Sequence, residues 1–409
     1  MLSNIDIDNL IQPFVDRQKM IEVYIVNLIA KRVKQIGRLL PSDIYKLERL
    51  YQMGADVKSI NRMIAQVSGL QEKEIKKLIR YVAADAYAEA KPYYDYRQLS
   101  YIPIAENIAL QKIIYAVSEQ TQKSFKNLSN STMIGFTLRD LRNPKKTKFY
   151  NAEQTYKTII DEAVQAAQSG VIDYNTAIRR TMKQLGSSGL KTVTYESGYK
   201  QRMDTAVIRN ILDGIRQINQ KVMDFVGRQF GSNGYELTAH YNPAPDHAPF
   251  QGHIFTARQY ARLQANKRFK DINGKRFPAQ KRIIGQWNCK HFAYPIVLDG
   301  VVPTYTQEQL DKILEDNNRG MTLPNGKHLT GYEATQHQNK LALEVRKAKE
   351  AQMIAEQAGD EELAKQLQAK VNQKTKEYNA FNKLAKEQMN LSPRKDKLTV
   401  AGYKKISTK

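Results

Sequence analysis

The sequence predicts a mainly helical protein with a smaller α+β portion at its centre, and three observations lead there. Long stretches toward both ends place apolar residues at three-and-four spacing, the helical period. Residues 242–300 instead hold prolines, turn dipeptides and short alternating runs, which helices exclude. Hydrophobic residues make up 41% of the 409 positions, enough for a sizeable core but lean enough to predict helices with long solvated faces.

From Asp6 to about Lys126 the pattern is repeatedly helical, punctuated by Pro41, Pro92 and Pro103. Ile21, Tyr24, Ile25, Leu28, Ile29 and Arg32 should present one apolar stripe. In SGLQEKEIKKLI, Ser68 and Gly69 precede Glu72 and Glu74 and then Lys76 and Lys77, an order that suits the helix dipole and predicts a start there. Residues 1–130 are therefore expected to be an N-terminal helical docking domain. A basic linker over 131–150 follows. Arg139 to Lys148 carries five cations against Asp140 alone and is expected to be a solvated loop.

Asn151 is expected to cap a helix running to about Ser169, with Gly170 as its stop. Ile208, Ile211, Ile215, Ile218, Val222 and Phe225 are spaced 3, 4, 3, 4 and 3, which predicts a central helix whose end Gly227 and Gly231 loosen. A strand should begin near Tyr235. NPAPDHAPFQG holds three prolines and must be an irregular loop, and Asn273–Gly274 in DINGKRF reads as a tight hairpin. These elements make residues 151–330 a central α+β domain. Residues 331–390 form C-terminal helical arms, 332–358 and 361–389, parted by Gly359 and Asp360; the second carries the stripe Leu363, Leu367, Val371, Tyr378 and Phe381. The basic tail, 391–409, is expected to depend on a partner for order.

Lys and Arg number 64 against 41 acids, a net charge of +23 that favours a polyanionic partner. The excess concentrates between Gly252 and His291. There Arg258, Arg262, Lys267, Arg268, Lys270, Lys275, Arg276, Lys281, Arg282 and Lys290 face one acid, Asp271, and are candidates for contact with a DNA backbone. The apolar stretch Ile21–Ala30 is about half of what a membrane span needs, so no span is expected, and the polar start argues against a secretory signal.

One cysteine, Cys289, excludes an intramolecular disulfide framework and multi-cysteine zinc sites. His247, His253, Cys289 and His291 could supply four ligands by type. Cys289 and His291 are only two positions apart, however, a spacing expected to turn them opposite ways, so no metal or cofactor is expected and the histidines read as hydrogen-bonded structural groups. Cys289 is expected to be a buried small residue rather than a nucleophile. GMTLPNGKH lacks phosphate-loop spacing, no HExxH occurs, and Glu361 with Glu362 sit on a solvated helix, so no catalytic residue is assigned. Trp287, with Phe292 and Tyr294, reads as a small hydrophobic nucleus under a cation-rich surface.

GYKQRMDTAVIRNILDGIRQIN (198–219), ELTAHYNPAPDHAPFQGHIF (236–255), GQWNCKHFAYPI (285–296), YTQEQLDKI (305–313) and GYEATQHQNKLALEVRKAK (331–349) together resemble the phage minor capsid protein 2 family, distantly similar to the Mu F-like head-morphogenesis proteins of tailed phages. GADVKSINRMIAQVSGLQEKEIKKLI resembles the family's helical front end. The resemblance puts the recurrent polar positions at His240, His247, Gln251 and Gly252, and at Trp287, Asn288, Cys289 and His291. His253 stands where many members have a cation, and Lys290 where Arg is common. What the resemblance implies is a virion component in low copy number, made in the bacterial host cytoplasm. It would associate with a portal or capsid protein, act in head morphogenesis and in DNA packaging or ejection, and touch phage DNA without sequence preference. The alternative is a nuclease or transferase built on the His- and Cys-rich central region.

Overall fold

The computed structural model describes residues 4–36, 54–140, 145–169, 184–186, 188–193, 198–270, 276–277, 283–285, 289–357, 359–400 and 403–405. Within them the fold is mainly α with small antiparallel sheets, as predicted.

The helical front consists of α1 (Asn4–Ile36), α2 (Ala55–Glu89), α3 (Lys91–Tyr96) and α4 (Ile108–Leu128). Ile21, Ile25 and Ile29 of the predicted stripe are fully buried, and Val26, Ala30 and Val33 widen it. Pro92 lies in the first turn of α3, where its missing N–H removes no helical bond. The start predicted at Ser68 does not occur. α2 runs unbroken through Ser68 and Gly69, because Ile64, Val67, Gln71, Ile75 and Leu78 continue one buried face across them. Burying several such side chains outweighs the roughly 1 kcal/mol cost of an internal glycine.

Part of the stretch expected as a basic linker, 131–150, is strand. β1 (Ile134–Arg139) buries Ile134, Phe136 and Leu138 on one face and pairs with β2 (Thr147–Asn151). The alternation in IGFTLR carries the strand, and the neighbouring cations obscure it. Asn151 caps α5 (Ala152–Ser169) as predicted: its Oδ1 accepts the Gln154 N–H at 2.8 Å, and Gln154 Oε1 accepts the Asn151 N–H at 3.1 Å. Gly170 lies outside the described residues. Strands β3 (Lys191–Val193) and β4 (Lys200–Arg202) complete a sheet of order β2-β1-β3-β4.

The central helix is α6 (Met203–Gln229), packed against α1, α2 and α4. Its seam residues Ile211, Ile215, Ile218 and Val222 are at most 1% exposed. Gly227 does not loosen the end. The helix continues past it, and a Cβ at that position would lie 2.4 Å from Pro295 Cβ, so the glycine admits a close neighbour.

There follow β5 (Gly234–Leu237), β6 (Ile254–Thr256), α7 (Ala257–Gln264), β7 (Phe269–Lys270), β8 (Arg276–Phe277) and β9 (Ala293–Ile296). β5 is the middle strand of an antiparallel sheet, order β6-β5-β9, with Tyr235 opposite both Phe255 and Pro295. β7 and β8 pair Phe269 with Phe277 and Lys270 with Arg276; Asn273 and Gly274, between them, lie outside the described residues. The chain then runs through α8 (Gln307–Arg319) and the pair β10 (Met321–Thr322) and β11 (His328–Leu329) into the predicted hairpin of α9 (Gly331–Gln357) and α10 (Glu361–Met389). Leu363, Val371, Tyr378 and Phe381 are its buried stripe.

The tail, as far as Val400, packs on the chain's own helices. Arg394 pairs with Asp8 of α1 at 2.9 Å and with Asp396 at 2.6 Å, Lys349 donates to the Leu398 carbonyl at 2.7 Å, and Val400 is buried. Asp8 is the acid that the local charge pattern cannot reveal. A second long-range contact is a buried charge network: Arg202 reaches Glu350 of α9 at 3.2 Å, and Arg346 reaches Asp204 of α6 at 2.9 Å, beside Glu22 of α1.

Candidate functional site

Two features of the α+β portion are chemically distinctive, a closed His–Cys cluster and an exposed cationic face. The cluster forms where the loop from β5 to β6 meets the approach to β9. Successive turns shape the loop: the amides of His247 and Ala248 donate to the Ala244 carbonyl at 2.9 Å, and the amide of Phe250 donates to the His247 carbonyl at 3.0 Å. Gly252, at φ +69, presses so closely on Leu310 that a Cβ there would lie 2.2 Å from it. The Thr238 amide donates to the Phe292 carbonyl at 2.9 Å, and the Phe292 amide donates to Thr238 Oγ1 at 3.0 Å. These bonds hold the loop and the β9 approach together.

His247, Cys289 and His291 are each at most 2% exposed, and their ligand-type atoms all lie within 4.8 Å of one another. Cys289 Sγ is 3.5 Å from His291 Nδ1. The spacing argument made from sequence fails here, because alternate residues of an extended segment share a side and do not oppose each other. His253, the fourth candidate ligand by type, stays outside the cluster, its ring 6.4 Å from that of Phe255 and tilted 62° to it. His240 stacks on His291 with ring centroids 4.3 Å apart, and His247 meets His291 edge-on at 5.5 Å.

Gln251, 2% exposed, organises this group. Its Oε1 accepts from the His240 amide at 3.2 Å and lies 3.2 Å from His291 Nε2. An amide oxygen only accepts, so His291 carries its proton on Nε2 and turns the Nδ1 lone pair toward Cys289. Burial pushes the Cys289 thiol up, but its hydrogen bond and electrostatic interaction with His247, together with the Arg216 guanidinium, outweigh that and hold it below the ordinary thiol range. Burial lowers His240, and the charges of Lys290 and Arg216 add to the effect. The Arg216 guanidinium, 3% exposed, lies 5.8 Å from the Phe292 ring centre. Sequence reasoning passed over this residue, though a cation next to Ile215 on an otherwise apolar seam was the available signal.

The second feature concerns the cations. Arg258, Arg262, Lys267, Arg268, Lys270, Arg276 and Lys290 are all exposed. Lys275, Lys281 and Arg282 lie outside the described residues, as do Trp287 and Asn288. Six of the seven sit on α7, β7, β8 and the turn between α7 and β7. The Arg262 guanidinium donates to the Arg268 carbonyl at 2.8 Å and steadies that turn. Lys290 stands apart, within electrostatic reach of Asp8 and Arg394. None of the seven has an acidic partner at ion-pair distance among the described residues.

A family model described as phage minor capsid protein 2 matches residues 2–383 of the chain. The chain belongs to that family. Neither curated proteins nor solved structures yield a match. The phage minor capsid match runs from α1 into α10 and so takes in both the His–Cys cluster and the cationic face. Membership makes this a phage structural protein, located in the virion and interacting with other phage structural proteins. No helix among the described residues is long and apolar enough to cross a membrane.

Proposed function

We propose that this minor capsid protein works beside the portal in head morphogenesis and in DNA packaging or ejection, touching packaged DNA without sequence preference. The observation that carries the DNA contact is the run of exposed cations on α7, β7 and β8 with no described acid beside them. Exposed cations that release condensed counterions from phosphates gain affinity for any duplex. A docking role for the front helices is supported by Tyr93, Tyr96, Ile108 and Tyr115, which are 64%, 83%, 72% and 61% exposed on or beside α3 and α4. Exposed aromatic and aliphatic groups so close in sequence suit a protein partner, here the portal or capsid protein. In this reading the front helices dock, the central α+β portion faces DNA and the C-terminal arms brace the two. The protein would be made in the host cytoplasm before it enters the head.

Binding of full-length protein to unrelated duplexes of equal length tests the DNA contact. Affinity should be equal among sequences and should fall steeply from 50 to 200 mM salt, with a logarithmic slope of about −5 if the six clustered cations each engage one phosphate. Salt-independent binding, or none at low salt, would refute it. A reconstruction of the particle without imposed symmetry tests the portal placement: density for this chain remote from the portal vertex would overturn it.

A further inference from the structure

We propose that His247, Cys289 and His291 form a zinc site that ties the β5–β6 loop to the approach of β9. The donor set is one sulfur and two imidazole nitrogens, all three residues are at most 2% exposed, and their donor atoms converge within 4.8 Å. A thiolate with two neutral imidazoles suits zinc better than magnesium or calcium, which take oxygen ligands. One donor pair already has the separation the ion requires, and the third donor lies within 4.8 Å of both. With zinc–sulfur at about 2.3 Å and zinc–nitrogen at about 2.0–2.1 Å, a tetrahedral angle sets sulfur and nitrogen roughly 3.5 Å apart. Cys289 Sγ and His291 Nδ1 are 3.5 Å apart.

The surroundings fit as well. Gln251 Oε1, 3.2 Å from His291 Nε2, holds that ring in the tautomer that frees Nδ1 for a metal, the usual arrangement behind a ligating histidine. An Asp246 carboxylate oxygen stands 4.0 Å from His247 Nε2 and places a negative charge beside the second ring, offsetting the nearby Arg216. Burial argues for a held ion over a reactive thiol, and with three protein donors the fourth tetrahedral position falls to a water. The neighbouring cleft is lined by Ala248, Gln251, His253, Leu310 and Asp311, and neither Cys289 nor His291 reaches it. Two chain segments about 40 residues apart would thus be fastened across a small satellite core that contains Cys289 itself. The proposal is independent of the DNA contact, so either can fail alone.

Metal analysis of the full-length protein, loaded with zinc and passed through gel filtration, should find one zinc per chain. Cobalt substituted for zinc should give the visible bands of a tetrahedral ion and a thiolate-to-cobalt charge-transfer band. The wild-type spectrum decides the matter even if a variant fails to fold. Cys289→Ser should abolish the charge-transfer band and His253→Ala should keep it. Gln251→Ala, which removes a positioning group, should weaken zinc about 10- to 100-fold while keeping one equivalent at saturation. Less than a tenth of an equivalent of zinc in the wild type, cobalt bound without thiolate charge transfer, or a band that survives Cys289→Ser would each overturn the site.

Discussion

Replacing Glu22 by Gln should stabilise the protein at pH 8 and change little near pH 4. Glu22 is 8% exposed on α1 and faces the network of Arg202, Asp204 and Glu350. Burial raises its carboxyl to about 7, the charge of Glu350 adds to the rise, and Arg202 opposes it. Between pH 4.5 and about 7 the folded chain holds a proton that the unfolded chain has released. The stabilisation linked to this group is therefore complete below 4.5 and is lost as pH rises through 7. A displacement of about 2.5 units at about 1.4 kcal/mol per unit bounds the effect at roughly 3 kcal/mol. Gln imitates the protonated acid and leaves Arg202 with Glu350 and Asp204. Urea unfolding of wild type and Glu22→Gln at pH 4, 5, 6, 7 and 8 measures it. The difference should grow with pH and level off above 7. A flat difference, or a variant less stable than wild type at pH 8, would refute the reasoning.

Gly227→Ala should cost about 1–3 kcal/mol, since the added methyl meets Pro295, and an unchanged urea midpoint would contradict that packing. Arg394→Ala should release the tail from α1. Limited proteolysis after residue 394 should then accelerate while global stability falls by about 1 kcal/mol or less, as this pair is part-exposed. Substituting Arg258, Arg268 and Lys270 together by Ala should flatten the salt dependence of DNA binding by up to about 0.9 per lost phosphate contact, with circular dichroism unchanged. An unaltered slope would take DNA off this face.

The legible parts of the fold were those with a repeated period. The α6 seam, the α9–α10 hairpin and the Asn151 cap are each encoded within a few residues, and each forms where expected. Ser68 and Gly69 misled because a local start signal was overridden by a buried face that continues through it. The cations around β1 masked a short alternation, and the tail's contact with α1 was hidden because its acid, Asp8, lies at the other end of the chain.

The candidate site divides in the same way. Composition and local counting placed the cation excess between Gly252 and His291, and every described member of it is exposed. The long apolar repeats likewise determined a helical protein, because period and burial are linked residue by residue. Only the tertiary structure decided which histidines join Cys289. His247 comes from a proline-rich loop and His291 from the edge of a strand, while His253, closer to His247 in sequence than either Cys289 or His291, turns away. No periodicity encodes that convergence; it follows from how β5 pairs with both β6 and β9, a choice made by contacts among segments far apart along the chain.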